Sequence, residues 1–285
     1  MTQPVGAHMS IAGGIELAIA RGVQLGCTAL QIFTKNANRW QGKPISDAAA
    51  RAFREAWRQS DIGPVIAHDT YLINLAAPED DKWHKSIAAL VDEIQRCALL
   101  DVPWLVIHPG AHVGSGEAAG LRRIGAALRV VFDQAPPGVG ILLENTAGQG
   151  TVLGGRFAHL AEIMNLAPGG RFGLCFDTCH AFAAGYDLAT AAGYAATMDE
   201  LQRDLGCEKV LAFHVNDSRK GLGSRVDRHE HIGQGAIGEE GFRLLMQDAR
   251  FTAVPKILET PKGDDEEFDR MNLSTLRRLA AQGDA

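Results

Sequence analysis

Residues 210–238, VLAFHVNDSRKGLGSRVDRHEHIGQGAIG, contain the pattern from which the fold can be inferred. The stretch begins with an apolar run that ends on His214, and a long polar segment follows. That segment carries Asp227 and His229, which are two positions apart, so both side chains point to the same face in an extended chain. Long polar loops in compact proteins are usually functional. The stretch therefore predicts a buried strand and a ligand-bearing loop, unless it is a solvated basic loop with incidental histidines.

The same unit, a short apolar run followed by a helical pattern, recurs along the whole chain. Such runs are typical of parallel strands that are buried on both faces. Eight strands that are each followed by a helix predict a (β/α)8 TIM barrel, here as a single domain over 1–285. The predicted strands are 5–8, 29–33, 65–68, 104–108, 140–144, 172–177, 210–214 and 256–259, and the predicted helices lie near 13–25, 47–60, 79–100, 116–134, 155–166, 190–205, 239–249 and 266–282.

The composition is that of an ordinary globular protein, with 46% hydrophobic and 22% charged residues. The sequence lacks both a long apolar run and a signal-peptide pattern, which predicts a cytoplasmic location and no membrane partner. Five cysteines without a Cys-x-x-Cys motif are expected to be reduced, mostly buried thiols. The net charge of −6 does not exclude a nucleic-acid partner, because three divalent cations would neutralise it.

Six of the predicted strands end on a side chain that can bind a metal. Because all strands of a (β/α)8 barrel point their C-terminal ends to the face that carries the active site, these side chains should converge. Each alone could be a helix cap, a turn former or a hydrogen-bonded core residue, but six on one face favour a metal centre. The six residues are His68, His108, Glu144, Asp177, His214 and Glu259.

Three further candidate ligands, His180, Asp227 and His229, are predicted to lie in loops on the same face. The nine candidates offer imidazole and carboxylate groups but no thiolate. This set suits zinc, manganese or iron and argues against a closed structural zinc site. Cys175 and Cys179 are interpreted as packing residues.

Beyond these patterns, the chain resembles the endonuclease IV family, the metal-dependent apurinic/apyrimidinic endonucleases also called AP endonuclease family 2. The resemblance extends over essentially the whole chain, and its segments occur in the family's order. They are GAHMSIAGG at 6–14, FTKN at 33–36, HDTYLINLA at 68–76, HPG at 108–110, LLENTAGQG at 142–150, DTCHAFAAGYD at 177–187, HVNDS at 214–218, GSRVDRHEHIGQG at 223–235 and LETPKG at 258–263.

The resemblance implies three divalent metal ions, most often zinc, with manganese or iron possible at one site. It assigns them the same nine residues. His68, His108 and Glu144 hold the first ion, Glu144 bridges to a second ion held by Asp177, His214 and Glu259, and His180, Asp227 and His229 hold the third. His231 matches no ligand position of the family and is interpreted as a loop histidine.

The activity implied by the resemblance is hydrolysis of the phosphodiester 5′ to abasic sites in duplex DNA, which leaves 3′-hydroxyl and 5′-deoxyribose phosphate ends. Removal of blocking groups from 3′ ends is also implied. Glu144 and Glu259 are the predicted catalytic residues, and Glu259 is the candidate for orienting the attacking water or accepting its proton. The protein is expected to act on DNA as a monomer.

Loops on the same face are predicted to contact the DNA, since basic groups suit phosphates and apolar groups can wedge into the minor groove. For Trp40 and Tyr71, packing against a neighbouring loop is an equally good interpretation. Asn38 stands where the family commonly has a wedging arginine, so Arg39, or Tyr71 with Leu72, is expected to replace it. The predicted contacts are Lys35, Asn36, Arg39, Trp40, Tyr71, Leu72, Asn74, Arg225 and Arg228.

Two other functions fit part of the pattern. A metal-dependent sugar isomerase or epimerase would also gather histidines and carboxylates at strand ends, but it needs neither a third ligand group nor basic loops. A catalytically inert metal-binding protein is disfavoured because the full ligand set is intact.

Overall fold

A closed barrel of eight parallel strands forms the centre of the protein, whose computed structural model describes residues 3–263 and 266–282. The strands neighbour one another in chain order, and the last pairs with the first. The predicted TIM barrel is thereby confirmed, and the strand bounds agree with the prediction to within one residue. The strands are β1 (Val5–Met9), β2 (Ala29–Phe33), β3 (Val65–His68), β4 (Trp104–Ile107), β5 (Gly140–Glu144), β6 (Phe172–Asp177), β7 (Val210–His214) and β10 (Lys256–Leu258), while β8 (Asp217–Ser218) and β9 (His229–Glu230) form a separate antiparallel hairpin.

Helices connect the strands, and eight of them match the predicted helices. The first begins four residues later than predicted, because Gly13 has a φ of 88°, which a helix does not accommodate. The helices found among the described residues are α1 (Leu17–Gln24), α2 (Asp47–Arg58), α3 (Asp80–Leu99), α4 (Glu117–Gln134), α5 (Phe157–Leu166), α6 (Thr178–Ala184), α7 (Ala191–Asp204), α8 (Gly238–Gln247) and α9 (Glu267–Ala281). None of them is both long enough and apolar enough to cross a bilayer.

Helix α6 was not predicted, because seven residues are too few to show a helical repeat. Its two ends nevertheless carry recognisable signals. Asp177 caps the N-terminus by accepting a hydrogen bond from the backbone N–H of His180, and Gly185 ends the helix with a φ of 115°. His180 therefore lies on a helix and not in a loop.

Apolar side chains fill the barrel interior, so the barrel is a packed core and not a pore. The layer inside the barrel is separate from the larger core between the barrel and the helices. All five cysteines are buried and free, as predicted. The inner layer consists of Ala29, Ile66, Val106, Leu142, Cys175, Ala212 and Ile257.

The loop that follows β7 is held together by the buried carboxylate of Asp217. This carboxylate accepts hydrogen bonds from five backbone N–H groups, those of Ser218, Gly233, Gly235, Ile237 and Gly238. Gly235 is required at its position, since a Cβ there would lie 2.5 Å from Asp217 Oδ1. The loop is thus ordered by internal hydrogen bonds although it contains few apolar residues.

Lys256, at the start of β10, is fully buried, and its amine donates a hydrogen bond to the carbonyl of Phe251. Burial lowers the pKa of this lysine from 10.5 to about 8. Between those values the unfolded chain binds more protons, so the contribution of Lys256 to the free energy of unfolding should rise with pH. We expect Lys256→Met to gain stability relative to wild type at pH 7, and this gain to shrink by up to about 3 kcal/mol by pH 10.

Chemical denaturation of both proteins at pH 7 and pH 10 measures the effect. A stability difference that does not change with pH would show that the pKa of Lys256 is the same in the folded and the unfolded chain, as for a solvated amine.

Candidate metal centre

The C-terminal ends of β3, β4 and β5 bring His68, His108 and Glu144 together. The Nε2 atoms of His68 and His108 lie 3.2 Å and 3.1 Å from Glu144 Oε2. The candidate ligand atoms of all three residues lie within 4.8 Å of one another. The spacing suits a shared cation, and we name these residues the first ligand group.

Glu144 also belongs to a second ligand group, together with Asp177, His214 and Glu259. His214 Nδ1 lies 3.0 Å from Glu144 Oε1, 3.2 Å from Glu259 Oε2 and 4.0 Å from Asp177 Oδ2. Glu144 therefore turns one oxygen to each group, which is the placement that a bridging carboxylate requires.

His180, Asp227 and His229 form the third ligand group. Asp227 lies between the imidazoles, with Oδ2 3.2 Å from His180 Nε2 and Oδ1 3.3 Å from His229 Nε2. Three different elements carry them, namely α6, the loop after β8 and the short strand β9. The hairpin of β8 and β9 and the cap on α6 thus bring together residues that the barrel strands alone would not.

Cys179 lies close to Asp177 and His229 and could in principle compete as a ligand. Burial raises the pKa of its thiol to about 12. Because a metal binds the thiolate, a thiol with so high a pKa is a poor ligand at neutral pH. The interpretation of Cys179 as a packing residue is retained.

The carboxylates give the site an excess of negative charge. Burial alone lowers the pKa of His68, His180 and His214, but neighbouring acidic groups outweigh it and raise all three well above the usual value. Burial alone raises the pKa of Glu144, yet the imidazoles around it, His214 first, hold it well below the usual value. A fully buried site that stabilises positive charge this strongly is suited to metal cations.

The histidine ring nitrogens are also arranged for metal binding. The Nδ1 atoms of His68, His180 and His229 contact backbone carbonyl oxygens at 2.9, 3.0 and 3.0 Å, which leaves Nε2 of each ring toward the site. His229 Nε2 is shielded from solvent and has no hydrogen-bond partner among the described residues. An orphaned buried nitrogen beside carboxyl-bearing ligands fits a divalent cation of the zinc, manganese or iron type.

Two buried asparagines that the sequence patterns do not indicate support the ligands. Asn145 exchanges two hydrogen bonds with the backbone of Asp177, at 2.8 and 2.9 Å. Asn216 donates to Asp177 Oδ2 at 2.8 Å and accepts from the backbone N–H of Glu259 at 2.8 Å. Their positions directly after Glu144 and shortly after His214 were the available signal.

Five of the predicted DNA-contact residues lie exposed at the rim. Tyr71 is 62% exposed, although its ring contacts Phe33 and His68 with centroid distances of 5.6 and 5.9 Å. Leu72, beside it, is partly buried. A groove of about 720 Å³ opens beside the ligand groups, between the loops that follow β1, β2 and β10. The exposed residues are Asn36, Arg39, Tyr71, Arg225 and Arg228.

Lys35 differs from the expectation of a surface cation. Its side chain is only 1% exposed, and its amine lies 2.6 Å from Asp92 and 3.2 Å from Glu93, both on α3. With two carboxylates beside it and almost no exposure, Lys35 offers no free charge to a phosphate in this structure. Its evident role is to fix the loop after β2 on α3.

Two further predicted contact residues also make structural contacts. Trp40 is partly buried, and Lys85 Nζ lies 4.3 Å from its ring centroid. Asn74 donates to the carbonyl of Ala111 at 2.9 Å and accepts from the N–H groups of Ala111 and Ala76 at 2.9 and 3.0 Å. Asn74 thus joins the loops after β3 and β4.

Comparisons with known proteins agree with this architecture. A profile for the family described as xylose isomerase-like TIM barrel matches residues 19–279. The chain is 56% identical over 281 residues to the protein named Probable endonuclease 4 of Geobacter sulfurreducens, covering 98% of this chain and 95% of that one. The crystal structure of endonuclease IV from Thermus thermophilus superimposes with a TM-score of 0.88 at 38% identity, covering 98% of this chain and 99% of that one.

A D-tagatose 3-epimerase-like protein shares the fold at a TM-score of 0.74 but only 20% identity, over 99% of each chain. That likeness concerns the barrel alone. The extent and identity of the endonuclease matches are decisive, and the chain belongs to the endonuclease IV family of metal-dependent nucleases.

Proposed function

We propose that this protein is a monomeric DNA-repair enzyme that hydrolyses the phosphodiester 5′ to abasic sites in duplex DNA. The products are 3′-hydroxyl and 5′-deoxyribose phosphate ends, and blocking groups on damaged 3′ ends are removed at the same site. The observation that carries the proposal is a third ligand group packed against two others that share Glu144. Membership of the endonuclease IV family supports it.

The nine clustered side chains hold three divalent ions, mostly zinc, with manganese or iron possible at one site. His68, His108 and Glu144 would hold the first ion, and Glu144 would also serve the second. The other ligands of the second ion are Asp177, His214 and Glu259, and those of the third are His180, Asp227 and His229. When bound, such ions neutralise phosphate charge and make a coordinated water more acidic.

Glu259 orients the attacking water or accepts its proton. Burial raises the pKa of its carboxyl, but His214 and His8 outweigh that effect, and the pKa falls well below the usual value. The group is therefore ionised at neutral pH. Its side chain is 18% exposed, whereas that of Glu144 is 1% exposed, so of the two glutamates Glu259 is the one that water can reach.

The rim residues bind and distort the DNA. Tyr71, with Leu72 beside it, offers an apolar wedge over the site, and the arginines at 39, 225 and 228 lie exposed toward the backbone phosphates. An abasic nucleotide has no base to unstack, so its extrusion costs less than that of an intact nucleotide. This difference provides selectivity for the lesion.

Metal analysis combined with an incision assay tests the proposal. We expect about three divalent ions per chain and cleavage of an end-labelled duplex 5′ to a tetrahydrofuran abasic analogue, both abolished by a strong chelator and restored by zinc. The undamaged duplex is the matched substrate control. One ion per chain, with ketose epimerisation and no incision, would instead establish a sugar epimerase.

A further inference from the structure

Gln31 is a buried polar residue in the middle of β2, whose other residues in ALQIF are apolar. Its side chain is fully inaccessible to solvent and lies beside the second ligand group. A buried amide costs free energy unless its hydrogen bonds are made. The contacts of Gln31 therefore indicate what the residue does.

The amide makes three contacts, all to residues at the site. Nε2 donates to Glu259 Oε1 at 2.6 Å and lies 2.9 Å from His8 Nδ1, while His214 Nε2 lies 2.7 Å from Oε1. The reversed amide would bring its oxygen to 2.6 Å from a carboxylate oxygen, so the orientation is determined by Glu259.

This orientation selects the tautomer of His214. A carbonyl oxygen can only accept, so His214 Nε2 must carry the proton that it donates to Gln31. In the neutral ring, the form that binds a cation, the lone pair is then on Nδ1, the atom that faces Glu144 Oε1 at 3.0 Å and Glu259 Oε2 at 3.2 Å. A histidine prepared in this way presents the correct nitrogen to a cation.

The same amide gives the two oxygens of the Glu259 carboxylate different partners. Oε1 is occupied by Gln31, and Oε2 remains toward His214 Nδ1 and the second ligand group. The rotation of the carboxylate is thereby restricted, and one oxygen is kept for the cation or for water.

We propose that Gln31 is a positioning residue, which prepares His214 and Glu259 for metal binding through one buried amide. The inference rests on the proposed function to the extent that both residues are ligands. Loss of such an outer contact typically weakens metal binding by about 10- to 100-fold.

Competition titration with a chromophoric zinc chelator tests this role in the whole chain. Gln31→Met keeps the length of the side chain and removes both of its hydrogen-bonding functions. We expect it to weaken the affinity of the second ligand group for zinc by about 10- to 100-fold. Gln247→Met is the matched control, since this partly buried amide on α8 bonds to Arg243 and Leu279, away from the site. Equal zinc affinity in Gln31→Met and wild type would overturn the proposal.

A second readout separates positioning from a general loss of stability. In the zinc-loaded protein, NMR of ¹⁵N-histidine should show a slowly exchanging ring proton on His214 Nε2. We expect Gln31→Met to lose this signal, because its side chain offers no oxygen to accept the bond. Persistence of the signal in Gln31→Met would contradict the acceptor role.

Neither readout depends on DNA cleavage. Zinc binding by wild type without incision would refute the proposed nuclease function, while the role of Gln31 would still be decided by the affinities and the ring proton. A wild-type chain that binds no zinc would refute both.

Discussion

Glu259→Gln is expected to lower kcat for incision of abasic DNA by about 10²- to 10⁴-fold, the range found when a catalytic acid or base is removed. The substitution preserves the shape of the side chain but removes its charge. The amide oxygen of the new glutamine could still accept a hydrogen bond from Gln31. The uncharged amide at the former Oε2 position, 3.2 Å from His214 Nδ1, would bind a cation and a water proton more weakly than a carboxylate oxygen does.

The measurement is steady-state incision at saturating DNA, which gives kcat, with zinc content determined on the same samples. Retained zinc with the full loss of kcat would assign the effect to water activation, and lost zinc would assign it to metal binding. Activity within about threefold of wild type would contradict both roles. Glu240→Gln, on the exposed face of α8, is a suitable control for loss of a carboxylate.

His229→Ala is expected to lower kcat by about 10²- to 10³-fold, as does removal of one electrostatic contact to a developing charge in other enzymes. The third ligand group would retain only His180 and Asp227. The same substitution should cost at most about 1 kcal/mol of folding free energy, because the ring is partly exposed and makes one hydrogen bond to the part of the chain that the structure describes, from Nδ1 to the carbonyl of Glu259.

Incision rates and urea denaturation, each with and without zinc, compare the two effects. His231→Ala is the matched control, since His231 lies two residues further in the same loop and packs on Phe268 outside the ligand groups. If His229→Ala unfolded the protein as readily as it abolished incision, the third group would be structural.

The predicted contact residues differ in how closely the sequence indicates their surroundings. Tyr71 is exposed, and its ring contacts His68 of the first ligand group. Lys35 has the right charge in the right loop, but two carboxylates of α3 bury it. The rotation of α3 about its axis decides this, and a single sequence does not reveal the rotation of one helix relative to a loop some 57 residues away.

The barrel and the convergence of nine metal-binding side chains follow from the sequence alone. Barrel topology suffices for most of that result, because parallel strands end on one face whatever their side-chain contacts. Which buried group supports which ligand depends instead on packing in three dimensions. Gln31 meets His214 and Glu259 across 183 and 228 residues of chain, although β2 pairs with neither β7 nor β10, and no local pattern encodes such contacts.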